Sequence, residues 1–191
     1  RCQIIAAARQ LFAERGVSRT SLEQVAAAAG VTRGAIYWHF ANKTELFYAV
    51  RDDAALPLFD RMDEVLLDGA DPLAAVASSM LAILDGLESD PKVREIFEVM
   101  SLKCEYVGEF APVLARIYQC SGEWAAKMVT AYTLAREKGL LRPELEPRLL
   151  ALETQAFMFG LVRLWLMDGG AENTRRQARQ LIAAHIAGRR A

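Results

Sequence analysis

Hydrophobic positions recur at helical spacing almost throughout this chain, and no segment alternates as a half-buried strand would. Ile4, Ile5, Ala8, Leu11 and Phe12 share one face, and Gly16 ends that helix. Thr20/Glu23 and Ser21/Gln24 both fit a capping box, so a second helix begins there by either cap. Leu22, Val25, Ala26 and Ala29 form its apolar stripe, and Gly30 supplies a left-handed stop. Thr32 caps a short third helix containing Arg33 to Phe40, with Ile36 and Phe40 on its buried side. Asn42 followed by Glu45 opens a longer helix carrying Leu46, Phe47, Val50 and Ala54, which Pro57 is expected to kink or divide.

Beyond residue 70, Asp71/Pro72 and Asp90/Pro91 open helices predicted to reach about Leu87 and about Tyr106. A long helix follows from about Ala111 to Lys138, stopping at Gly139. Two more, roughly 147–167 and 172–187, flank Asp168-Gly169-Gly170. The expected fold is all-α with about nine helices: a three-helix helix-turn-helix domain over 1–45, its motif at 21–40, and a larger helical regulatory, ligand-binding and dimerisation domain over 46–191.

Composition narrows the class. With 53% hydrophobic and 25% charged residues the chain can build an ordinary globular core. Its longest charge-free stretch, Pro72 to Leu84, is shorter than the ~18 apolar residues of a membrane span. The N-terminus runs directly into an amphipathic helix rather than a signal peptide, and its start at Arg1 predicts a missing short leader. The expected location is cytoplasmic, with no membrane partner. Cys2, Cys104 and Cys120 are odd in number and widely spaced, which predicts reduced thiols. With two histidines in the chain, neither a metal site nor another cofactor is expected. Residues 1–51 hold seven basic and three acidic side chains, a balance of +4, which leaves −5 on the remainder. A basic head on an acidic body suits a DNA-binding module joined to one that does not bind DNA.

The chemistry concentrates between Ser21 and Phe40, where a helix, a tight turn at Gly30-Val31 and a second short helix match a helix-turn-helix. The second helix of such a motif enters the major groove. Gly34 and Ala35 are small and lie opposite the Ile36 anchor, so the backbone can approach base edges. Glycine inside so short a helix costs ~1 kcal/mol relative to alanine, which asks for a packing or approach reason. Thr32 and Arg33 stand at the helix start, within reach of phosphate and of a guanine edge. Tyr37 and His39 can donate to flanking phosphates, and Lys43 opens the following helix beside them. The candidate DNA contacts are Thr20, Ser21, Thr32, Arg33, Gly34, Ala35, Tyr37, His39 and Lys43.

The stretch ARQLFAERGVSRTSLEQVAAAAGVTRGAIYWHFANKTELF, from Ala8 to Phe47, resembles the DNA-binding domain of the tetracycline-repressor (TetR) family. Gly30 to Phe40 with Asn42-Lys43 is its most specific part. Within that family the chain is most similar to the acriflavine-resistance repressor branch, regulators of multidrug efflux pumps. Lys103-Cys104-Glu105-Tyr106-Val107-Gly108-Glu109-Phe110 resembles a block in that branch's regulatory domain. The resemblance implies a homodimer, a palindromic operator, release by a small lipophilic ligand, and DNA contacts from Thr32, Arg33, Gly34, Tyr37, His39 and Lys43. The chain departs from the branch at Ser101-Leu102, where a histidine often precedes the block.

In the body, Met62, Phe97, Met100, Cys104, Trp124, Met128 and Phe157 are candidates to line an apolar effector cavity, and equally suit a filled helical core. Leu149, Leu152, Ala156, Gly160 and Leu164, with Leu181, Ile182 and His185, are the candidate dimer surface. The resemblance implies that these last two helices make a four-helix interface with their mates. No paired-carboxylate cleft, Gly-rich phosphate loop or Ser/His/Asp set is evident, so no enzyme is expected. The leading expectation is a ligand-released repressor of a multidrug efflux operon. The alternatives are a repressor or activator of an unrelated metabolic operon, and a non-sensing DNA-binding protein.

Overall fold

A computed structural model describes the backbone of residues 1–59 and 71–191, with side chains over 1–53 and 71–191. Met62 and the Ala54 side chain lie outside the described residues. Nine α-helices are present among the described residues: α1 (Cys2–Arg15), α2 (Leu22–Ala28), α3 (Arg33–His39), α4 (Lys43–Phe59), α5 (Pro72–Ser89), α6 (Pro91–Glu98), α7 (Ala111–Glu137), α8 (Pro147–Met167) and α9 (Glu172–Ala187).

Local chemistry sets most of their ends. Gly16 and Gly30 take φ of +82° and +67°, which stops α1 and α2. Of the two possible caps for α2, Ser21 is the one used. Its Oγ accepts the Gln24 N–H at 3.2 Å while Gln24 Oε1 accepts the Ser21 N–H at 2.9 Å. Thr32 Oγ1 accepts the Ala35 N–H at 3.2 Å and starts α3. Asn42 Oδ1 accepts from the Glu45 N–H at 2.8 Å, and Glu45 returns the bond to the Ala41 N–H at 2.7 Å. Helix α4 is not divided at Pro57; it continues to Phe59.

One expected helix ends early. The run predicted to reach Tyr106 passes from α6 into a single wide turn, Val99–Lys103, and becomes extended at Cys104. Lys103 donates to the Ala13 carbonyl at 2.6 Å and pairs with Glu98 at 2.7 Å, while the Tyr106 hydroxyl donates back to the Met100 carbonyl at 2.7 Å. Those bonds replace the helical ladder. Gly108, at φ +55°, and a tight turn through Phe110 then lead into α7.

By packing, the described residues form two compact units. The first comprises Arg1–Leu56 with Asp90–Ile117; the second, among the described residues, takes α5 and Tyr118–Ala191. The first unit's core unites Phe12, Val25, Ile36, Phe40 and Phe47 with Ile96, Val99, Phe110 and Val113. Sequence distance hid this, because α6 closes a core begun some eighty residues earlier. Arg9 on α1 also pairs with Glu95 on α6.

In the second unit, Arg179 on α9 reaches Asp85 at 2.7 Å and Glu88 at 2.8 Å on α5, and Arg189 reaches Glu153 on α8 at 2.8 Å. Inside it, Tyr132 OH meets Thr154 Oγ1 at 2.8 Å, and Thr154 Oγ1 meets His185 Nε2 at 2.9 Å. The half-buried His185 ring stacks on Phe157, centroids 4.3 Å apart. By length and mean hydropathy alone, 1.2 and 1.4, α5 and α8 could cross a bilayer, contrary to the expectation that no segment could. Here 61% of the α5 window and 44% of the α8 window are buried inside the protein, as core helices are.

Burial, and then the Arg189 charge, push the His185 pKa down to about 4 from its ordinary 6.5. The unfolded chain therefore binds this proton below about pH 6.5 while the folded chain does not until about pH 4. Stability should be fully present above pH 6.5 and fall as pH drops toward 4. Thermal melts of His185→Gln across that range should show a flatter pH dependence than the parent; an unchanged slope would refute this origin.

Candidate nucleic-acid interface

Seven residues are too few for an isolated helix in water, so α3 must be held by what it packs against. Ile36 is fully buried and Phe40 nearly so, both within the first unit's core. Anchoring that side turns Arg33, Gly34, Tyr37, Trp38 and His39 to solvent, with Ala35 half-buried between. A Cβ on Gly34 would meet only Thr32 Oγ1, at 3.9 Å. Nothing inside the protein requires glycine there, which leaves close approach from outside as its use.

The charged groups on this face are already engaged. Arg33 lies 3.3 Å from Glu23 Oε1 on α2, and the Tyr37 hydroxyl donates to the same oxygen at 3.4 Å. The Arg33 guanidinium also sits over the Tyr37 ring, 5.6 Å from its centroid. Lys43 Nζ pairs with Glu109 at 3.2 Å, donates to the Ser18 carbonyl at 3.4 Å and lies over the Phe110 ring. Thr44 Oγ1 donates to the Glu109 carbonyl at 3.2 Å. Together Ser21, Glu23, Tyr37, Asn42, Lys43 and Glu109 border an open concavity of about 480 Å³.

Most of the expected contacts thus share one face, and two findings differ from expectation. Thr20 is only 1% exposed, and its hydroxyl donates to the Gly16 carbonyl at 2.9 Å, so it ties the α1–α2 turn instead of facing DNA. Trp38, absent from the expected contacts, is 85% exposed. Its signal was available: two positions from Ile36 and two from Phe40, it lies across the helix from both anchors.

The expected effector residues do not come together in one unit. Phe97, Met100 and Cys104 pack against the core of the first, whereas Trp124, Met128 and Phe157 belong to the second. Cys104 lies past the helix end rather than on the helix with Phe97. Burial pushes its thiol up to about 11, which keeps it protonated and unreactive. Of the expected dimer residues, Leu149, Leu152, Ala156, Gly160 and Leu164 line an exposed face of α8, to which Phe159 and Met167 add. Leu181 is exposed on α9, but Ile182 is buried and His185 turns into the unit's own polar network. Helix α9 is apolar on two sides, and Leu181 and Ala184 mark the outward one.

A basic, glycine-bearing short helix presented by a capped partner helix is the geometry of a helix-turn-helix DNA reader. Residues 4–50 match the family described as bacterial regulatory proteins, tetR family, and residues 71–188 match the C-terminal region of MAATS-type transcriptional repressors. The chain is 35% identical over 172 residues to the HTH-type transcriptional regulator TtgR of Pseudomonas putida, covering 87% of this chain and 80% of that one. Among solved structures, NalD, the secondary repressor of the MexAB-OprM multidrug efflux pump in Pseudomonas aeruginosa, superposes with a TM-score of 0.89 at 31% identity, over 99% of this chain and 96% of that one. A complex of SmeT with triclosan superposes with a TM-score of 0.81 at 29% identity, over 95% and 88%. SmeT is the repressor of the Stenotrophomonas maltophilia multidrug efflux pump SmeDEF. The chain belongs to the TetR family of transcriptional regulators.

Because α3 depends on its anchor, Ile36→Ala should cost about 2–5 kcal/mol in the first unit. Duplex binding should weaken more than Arg33→Ala weakens it, since the whole reading face loses its support. Anisotropy titration with duplex DNA checks this, and undiminished binding by a destabilised variant would refute it.

Proposed function

We propose that this chain is a homodimeric, ligand-released repressor of a multidrug efflux operon, acting in the cytoplasm on a palindromic operator and carrying no enzymatic activity. The observation that carries the DNA-binding half is α3 itself: its outward face offers Thr32, Arg33, Gly34, Tyr37 and His39, and its inward face is committed to the core. In this reading Arg33 takes a guanine edge, Ser21, Thr32, Tyr37 and His39 take phosphates, and Lys43 leaves Glu109 for phosphate. Gly34 and Ala35 set the distance of approach, and the exposed Trp38 offers an apolar contact to the groove.

The efflux half draws on relatives: NalD and SmeT are described as repressors of multidrug efflux pumps, and SmeT has been seen with triclosan. Within the second unit, Trp124 is buried and its indole N–H has no hydrogen-bond partner among the described residues. A lipophilic effector with one acceptor oxygen would satisfy it, with the adjacent Met128 supplying adaptable apolar contact. The dimer is assigned to the outward faces of α8 and α9, where Leu149, Leu152, Leu164 and Leu181 remain exposed around the small Ala156 and Gly160. A twofold dimer presents two reading helices to half-sites about one helical turn apart.

Selection of genomic DNA by the purified protein tests the proposal. It should recover a palindromic site upstream of a transporter operon, and triclosan should release the complex. Arg33→Ala should weaken that site by about 1–3 kcal/mol, and Leu152→Glu with Leu164→Glu should leave a monomer that binds it poorly. Sites gathered elsewhere in the genome would overturn the efflux assignment, and a variant that stays dimeric would overturn the interface.

A further inference from the structure

Glu23 is the one carboxylate on α2 and α3, and it stands on a surface otherwise suited to phosphate. It has no part in holding α2, because the capping box is made by Ser21 and Gln24. It has no part in the core, because its side chain is 48% exposed. Its Oε1 instead gathers two groups from α3: the Arg33 guanidinium at 3.3 Å and the Tyr37 hydroxyl at 3.4 Å. The Arg33 guanidinium also rests over the Tyr37 ring, 5.6 Å from its centroid. Arg33 is thus held by a carboxylate and by a ring that is itself tied to the same carboxylate. Glu23 remains ionised: its own backbone amide and the Ser21 hydroxyl hold it below the usual carboxylate range, and Arg33 and Tyr37 add to that.

These contacts leave most of the Arg33 guanidinium free. A guanidinium has five N–H donors, the pair with Glu23 is made through Nη2, and 71% of the Arg33 side chain is exposed. A bidentate contact to a guanine edge takes two donors, so Arg33 can meet guanine with the Glu23 pair intact. The operator complex then has no internal contact to break. It also has no free arginine to order, a step that otherwise weakens binding by about two- to tenfold. A random duplex offers Arg33 mainly phosphates along the groove walls. To reach one, Arg33 must swing away from Glu23 and the Tyr37 ring, and an exposed pair of this kind is worth up to about fivefold.

We propose that Glu23 is a positioning residue for base reading: it fixes Arg33 in one setting on α3, keeps that contact in the operator complex, and so favours a guanine edge over the phosphates that a free arginine would find. The inference rests on α3 being the reading helix. Glu23 acts through Arg33, so its effect should vanish when Arg33 is gone. Removing a carboxylate from a DNA-facing surface also raises affinity for every duplex. The informative quantity is therefore the ratio of operator to random affinity, in which that general gain cancels.

The test uses the full chain in anisotropy titrations against the selected operator duplex and a scrambled duplex of equal length. Glu23→Ala should lower the operator-to-scrambled ratio by about three- to fivefold. In an Arg33→Ala background the same change should leave the ratio where Arg33→Ala alone puts it. A second readout replaces operator guanines one at a time by 7-deazaguanine, which lacks the N7 acceptor. The guanine whose replacement weakens the parent but not Arg33→Ala marks the Arg33 contact, and the loss there should be smaller in Glu23→Ala than in the parent. A ratio unchanged by Glu23→Ala would overturn the proposal. So would an equal fall with and without Arg33, because Glu23 would then act on the DNA directly, as an acceptor for a base amino group. Arg33→Ala separates the two levels of failure. Operator binding unchanged by Arg33→Ala removes the reading of α3 itself, and the Glu23 proposal with it. Binding weakened by Arg33→Ala, with Glu23→Ala leaving the ratio and the 7-deazaguanine loss as in the parent, removes the Glu23 proposal alone.

Discussion

A helix of seven residues fixes too few backbone hydrogen bonds to offset its own nucleation, so everything α3 does depends on the burial of Ile36 and Phe40. That anchoring decides which residues face outward and holds them in a rotational setting that side-chain chemistry alone could not impose. The same core is shared. Phe12 of α1 meets Phe47 of α4, and Phe47 meets Phe110 edge-on at 5.7 Å just before α7. Helix α3 is therefore seated in a core that α6 and the start of α7 complete.

That sharing ties Asp90–Ile117 to the elements around α3 within the first unit. Arg9 pairs with Glu95, Lys103 donates to the Ala13 carbonyl, and Thr44 and Lys43 both bind Glu109. The second unit is organised differently, around a hydrogen-bonded chain from Tyr132 through Thr154 to His185 and a stacked Phe157. Such a polar chain favours one arrangement of α7, α8 and α9, and it draws the half-buried His185 ring toward Thr154.

Much of this was legible in the residues because caps and stops act locally. Ser21 with Gln24, Thr32, Asn42 with Glu45, Gly16 and Gly30 all do what their chemistry predicts. What was hidden is non-local. Helix α6 was expected to continue because nothing nearby shows that Lys103 would reach Ala13, ninety residues back. Thr20 and Ser21 are both good caps, and only the packing of the α1–α2 turn decides that Thr20 is buried. On α9 periodicity finds two apolar sides but not which is inward, and the fold turns Ile182 into the unit's own core. Trp38 is large and aromatic, yet its position opposite Ile36 sets it outside. Of the candidate effector residues, Phe97, Met100 and Cys104 lie in the first unit and Trp124, Met128 and Phe157 in the second, a division that helical periodicity does not reveal.

Amide hydrogen exchange, with and without the selected operator duplex, tests the central claim most directly. If α3 reads DNA from a seat fixed by Ile36 and Phe40, operator should slow exchange across α3, where the Phe40 N–H bonds to the Ile36 carbonyl and the Ala35 N–H to Thr32. Scrambled duplex should slow it much less, and the outward faces of α8 and α9 should not respond. Protection by operator confined to the second unit, with α3 exchanging as in the free protein, would contradict the account.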